Sequence, residues 1–97
     1  MRIGITQRVL ERPDRGETWD CIDQRLVVLV QSMGDVPVLL SNAIESVPEY
    51  IKDINVGGIM LSGGNDLSTV PGGTDTSTLR DRFETALLDY FSKHKLP

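Results

Sequence analysis

Apolar and polar positions follow two rhythms along this chain, a strand-like one and a helix-like one, and their alternation predicts six elements. Arg2 to Thr6 (RIGIT) is a short β run, with Gly4 leaving room for a neighbouring backbone or helix to pack closely. Gln7 to Thr18 carries six charged residues, Pro13 and Gly16 and no apolar periodicity, and reads as a surface loop at the carboxyl end of that strand. From Trp19 the spacing predicts a helix, with Trp19, Ile22, Leu26, Leu29, Val30 and Met33 on one face and Gly34 as its stop. Val36 to Leu40 (VPVLL) is the second strand. Pro37 near its start suits an edge position or a strand entry, and Ser41-Asn42 marks its end. Ser46 and Glu49 form a capping-box pattern ahead of a short helix with Val47, Tyr50, Ile51 and Ile54 on its apolar face, closed by Asn55 and Gly57.

The stretch Gly57 to Asp66 (GGIMLSGGND) holds an apolar run, Ile59-Met60-Leu61, between glycine pairs, which predicts a strand buried on both faces and central to the sheet. A long connection rich in Ser, Thr, Gly and Asp runs from Ser62 to Ser77. Thr78 with Asp81 then marks a helix start, and Leu79, Phe83, Leu87, Tyr90 and His94 supply its buried stripe. Lys93, His94 and Lys95 place positive charge at its carboxyl end, and Pro97 cannot extend it. Strand, helix, strand, helix, strand, helix is the signature of a mostly parallel sheet in a three-layer α/β/α fold of the flavodoxin-like type. Nothing follows the last helix to pair beside the third strand. Residues 1–97 therefore read as the amino-terminal half of a longer α/β domain.

Composition narrows the function classes. With 39% hydrophobic and 25% charged residues over 97 positions, the chain is expected to be one globular unit. The net charge of −4 is spread out, and the absence of a long basic run argues against a nucleic-acid partner. No apolar run reaches the roughly 18 residues needed to span a bilayer, and none suits a signal sequence, so a cytoplasmic location without a membrane partner is expected. One cysteine and one histidine make a metal site or a disulfide framework unpromising. No cofactor is called for.

The candidate site is the turn after the third strand, Ser62-Gly63-Gly64-Asn65. Ligands in open α/β sheets bind outside the carboxyl ends of the strands, and glycines let backbone N–H groups approach without an intervening side chain. The same glycines also suit a plain turn. Arg8, at the end of the first strand, is placed to meet a substrate carboxylate. Arg80 is either substrate-facing or paired with Glu84 at four-residue spacing, the pair being favoured. Cys21, near the expected start of a helix, reads as a packing residue rather than a nucleophile. His94 reads as a helix-end cation.

Taken together, GIMLSGGNDL, LRDRFETALLDYF, the ending KHKLP, the opening IGITQR and Asp23-Gln24-Arg25 resemble the amino-terminal half of class I glutamine amidotransferase-like hydrolases, the γ-glutamyl-γ-aminobutyrate hydrolase family in particular. The resemblance spans the whole chain. It implies hydrolysis of a small γ-glutamyl amide by a cysteine with a histidine and a glutamate as partners, all three lying beyond this segment. It further implies that the backbone N–H of Gly64, helped by Gly63, forms the oxyanion hole, and that Asn65 lies at the substrate. Asn65-Asp66, where synthetase-coupled members often carry proline, favours the hydrolase branch. A homo-oligomer and a synthetase partner both stay open. Two other functions fit the residues less well: a phosphate- or nucleotide-binding module, which lacks a lysine after the glycines, and a non-catalytic interaction domain.

Overall fold

The computed structural model describes residues 1–62 and 78–94 and shows a mixed α/β fold. Its frame is a parallel sheet of three strands in the order β4-β1-β5, with β1 at Arg2–Ile5, β4 at Val36–Leu39 and β5 at Gly58–Met60. The middle strand is thus the first in sequence. The stretch expected at the centre, Ile59-Met60-Leu61, instead flanks β1, and its last residue is half exposed beyond the strand end. Burial explains the order: Ile3, Gly4 and Ile5 are all buried, whereas β5 has only Gly58 fully covered. Pro37 lies in β4, which among the described strands pairs with β1 alone, a position that suits a residue without an N–H.

The two-residue period of the strands sorts side chains onto two faces. On one, Ile3 and Ile5 of β1 and Met60 of β5 meet Ile22 and, from α1 (Gln24–Ser32), Leu26, Val27 and Val30. On the other, Val38 and Ile59 join Leu40 against α2 (Val47–Ile54) and α3 (Thr78–His94), where Val47, Ile51, Phe83, Leu87 and Phe91 are buried. Gly4 lies between Val38 and Ile59 in register, on this second face. A Cβ there would come within 2.9 Å of Leu40 Cδ1, so the glycine is what admits Leu40 to the core.

Residues 7–18, expected as a loop, contain most of a β-hairpin. β2 (Arg8–Arg12) pairs antiparallel with β3 (Glu17–Cys21). Arg15 N–H donates to the Arg12 carbonyl across Pro13-Asp14, and Gly16 follows with φ of +64°. Pairing across the hairpin explains why so charged a segment is ordered. Thr18 donates to Glu11, Leu10 faces Trp19, and the Arg12 guanidinium lies 5.1 Å from the Trp19 ring centre.

Trp19 and Cys21 therefore belong to a strand, and the helix starts later than its spacing predicted. Asp23 caps α1 by accepting from Arg25 N–H at 2.9 Å. Leu29 and Met33, assigned to the buried face, are about half exposed, because Val27 and Val30 take the contacts with the sheet. Ser46 is the residue before α2 but makes no side-chain cap; Pro48 at the second helical position removes one of the two N–H groups such a cap can reach, leaving that of Glu49. Asn55 ends α2 in the left-handed region, as expected. On α3 Phe83 and Leu87 are buried as the stripe predicted, while Leu79 and Tyr90 are partly covered.

Candidate functional site

Each parallel strand ends by handing over from apolar to polar residues: Thr6-Gln7 after β1, Ser41-Asn42 after β4 and Leu40, and Ser62 after β5 and Leu61. These meet at one edge of the sheet. Thr6 and Asn42 are fully buried, Gln7 and Arg80 nearly so. The ladder itself reaches this far, for Thr6 N–H donates to Met60 O and Leu40 N–H to Ile5 O, both at 3.0 Å.

Side chains then knit the three ends together. Ser62 N–H donates to Thr6 Oγ1 at 2.9 Å, which ties the exit of β5 to that of β1. Gln7 Nε2 donates to Leu40 O at 2.9 Å, and Asn42 Nδ2 returns a bond to Gln7 O at 3.0 Å. The hairpin joins through Asp20. Its carboxylate accepts from Ser41 Oγ at 2.9 Å and from Asn42 Nδ2 at 2.8 Å. Two acceptors around one Asn42 nitrogen fix the orientation of that amide and leave its buried Oδ1 without a partner among the described residues.

The helix α3 closes the edge from the far side. Arg80 donates through Nη2 to the carbonyl of Ser62 and, at 3.3 Å, to its Oγ, while its Nε pairs with Glu84 at 3.0 Å. The pairing expected from four-residue spacing is therefore formed. Arg82 reaches Ile44 O at 3.0 Å and Asn42 O at 3.5 Å, beside a groove of 520 Å³ that Asp81, Thr85 and Asp89 also line.

The sequence-predicted site residues fall in two groups. Gly63, Gly64 and Asn65 lie outside the described residues, as do 66–77 and Lys95. Arg8 opens β2, opposite Cys21 in register, and Cys21 is half-buried as a free thiol at the end of β3 rather than in a helix. Among the described residues no three metal-ligating side chains converge. No described helix is long and apolar enough to cross a membrane. Thr6, Asp20 and Asn42 were not singled out by motif reasoning. Their signal was positional: a polar residue directly after an apolar strand run, or opposite one across a hairpin.

Among the described groups, one carboxylate stands out as strongly perturbed. Asp23 is lowered from 3.8 to about 2, chiefly by the Arg25 side chain donating to it and then by the Arg25 backbone N–H.

Compared with known proteins, the chain matches no family model and no curated protein.

Proposed function

We propose that this chain is the oxyanion-hole half of a flavodoxin-like, cytoplasmic hydrolase that cleaves γ-glutamyl amide bonds with a cysteine nucleophile. The observation that carries the reading is the anchoring of Ser62 at the carboxyl edge of a parallel sheet, one residue ahead of Gly63-Gly64, by Thr6 on one side and Arg80 on the other. The motif resemblance of SGGND and Arg-Asp-x-Phe-Glu supports it. In this reading the thiolate attacks the γ-carbonyl carbon, the N–H groups of Gly64 and Gly63 meet the oxygen that becomes negative, and the amine leaves with a proton from the histidine. Water then cleaves the thioester. Preorganised donors of that kind are worth about 10²–10³-fold in rate each. Arg8 and Asn65 are the proposed substrate contacts, and the cysteine, histidine and glutamate follow Pro97 in sequence.

The test is release of p-nitroaniline from γ-glutamyl-p-nitroanilide by the protein as its gene encodes it, read with its intact mass. Turnover, lost by about 10²–10³-fold in Gly64→Pro, supports the reading. A gene that stops after Pro97, or an extended protein inert toward γ-glutamyl amides, removes it. Residues 1–97 alone are expected to show no turnover.

A further inference from the structure

Arg80 occupies a position that the packing of α3 reserves for an apolar side chain. It lies three residues before Phe83 and seven before Leu87, on the same face as these two fully buried side chains, and is itself 4% exposed. Its partner Glu84 keeps a side-chain exposure of 17%. Withdrawing two charges from water is costly, and a hydrophobic pair of similar volume often serves stability as well or better. The guanidinium does something that such a pair could not. It holds both the carbonyl and the hydroxyl of Ser62, while Glu84 fixes the fork from behind. With the Ser62 N–H on Thr6 Oγ1, every polar group of that residue is engaged.

We infer that Arg80 is a positioning residue that holds Ser62, and through its carbonyl the direction in which the chain leaves β5, at the carboxyl edge. A carbonyl and the amide that follows it form one rigid planar unit, so a grip on Ser62 O fixes the direction of that unit as well as its place. Its catalytic consequence rests on the hydrolase reading above: the oxyanion donors come next in sequence, and a rotated plane would misaim them. Lysine cannot substitute fully, because a single ammonium lacks the planar fork that reaches Glu84 and Ser62 at once.

The experiment compares wild type, Arg80→Gln and Arg80→Lys in the protein as its gene encodes it, by amide hydrogen exchange and by kinetics on γ-glutamyl-p-nitroanilide. In Arg80→Gln the Ser62 amide is expected to exchange at least ~10-fold faster while the Thr6 and Leu40 amides, in the ladder, keep their rates. The kcat falls ~10–100-fold with KM within about twofold, and Arg80→Lys recovers part of both effects. Equal acceleration of all three amides, or none at Ser62, overturns the inference, as does an unchanged kcat in an active enzyme. A wild type inert on the substrate defeats the hydrolase reading alone, since the exchange pattern still decides whether Arg80 holds Ser62.

Discussion

Replacing Asn42 by aspartate exchanges one NH₂ group for an oxygen at constant shape, in a side chain that is fully buried. Both of its hydrogen bonds, 3.0 Å to Gln7 O and 2.8 Å to Asp20 Oδ1, become contacts between oxygens. Two unit charges 2.8 Å apart repel by about 6 kcal/mol at an effective dielectric constant of about 20. Asp20 is solvent-exposed, and the hairpin that carries it can draw back, so the net loss at pH 7 is expected to be about 2–4 kcal/mol. The new carboxyl binds its proton more tightly in the folded than in the unfolded protein. Its penalty is therefore full above the raised folded pKa and vanishes below the unfolded value of about 4. Urea unfolding of Asn42→Asp and Asn42→Ala between pH 4 and 8 separates charge from lost contacts. Asn42→Ala should lose a similar amount at every pH, whereas Asn42→Asp should approach wild type as pH falls. An Asn42→Asp protein as stable as wild type at pH 7, or one whose deficit is flat with pH, would refute the clasp between Asp20 and Asn42.

The Asp20→Ala variant should free the hairpin while leaving the sheet folded, which the single Trp19 would report as a shift in fluorescence without loss of helical circular dichroism. Gly4→Ala forces a methyl against Leu40 and should cost about 1–2 kcal/mol in urea, the overpacking outweighing the reduced freedom of the unfolded chain. At Asn55, with φ of 55°, alanine should cost about 1 kcal/mol and glycine should cost nothing or stabilise, as thermal melts would show. Because the Asp23 carboxyl is depressed from 3.8 to about 2, its support for α1 is complete above about pH 4 and is lost as pH falls through about 2. Protection factors of the α1 amides, which divide out the intrinsic pH dependence of exchange, should fall in wild type over that range and stay level in Asp23→Asn.

Much of the α/β frame was legible because its apolar residues carry a clear period. Val47, Ile51, Phe83 and Leu87 repeat at helical spacing and are buried together, and Ile3 and Ile5 alternate around a glycine. The hairpin escaped because its order comes from partners across the chain. Leu10 faces Trp19 and Glu11 meets Thr18, contacts that a pattern read along one segment does not contain. Pro13 and Gly16 counted with the six charged residues as loop signals, although both equally suit the turn between two strands. Trp19 then fell by coincidence on the stripe of the following helix. At the candidate site, apolar strands ending in Ser, Thr or Asn fixed where polar groups would gather. The sharing of Asn42 between Gln7 and Asp20 depends on a three-dimensional meeting of residues 35 and 22 positions apart.

The middle position of β1 has a consequence in time. Its register partners Leu39 and Met60 trail Ile5 by 34 and 55 residues, although Ile5 becomes fully enclosed only when both neighbours are in place. At roughly 5–20 residues per second on a ribosome, the second neighbour is synthesised about 3–11 s after the strand it must cover. The hairpin, whose two strands pair across a short turn, can form that pairing within about 1–10 μs of its own synthesis. The newborn chain thus carries an unpaired apolar strand for seconds. Its greatest exposure to aggregation falls in that interval, before β5 arrives.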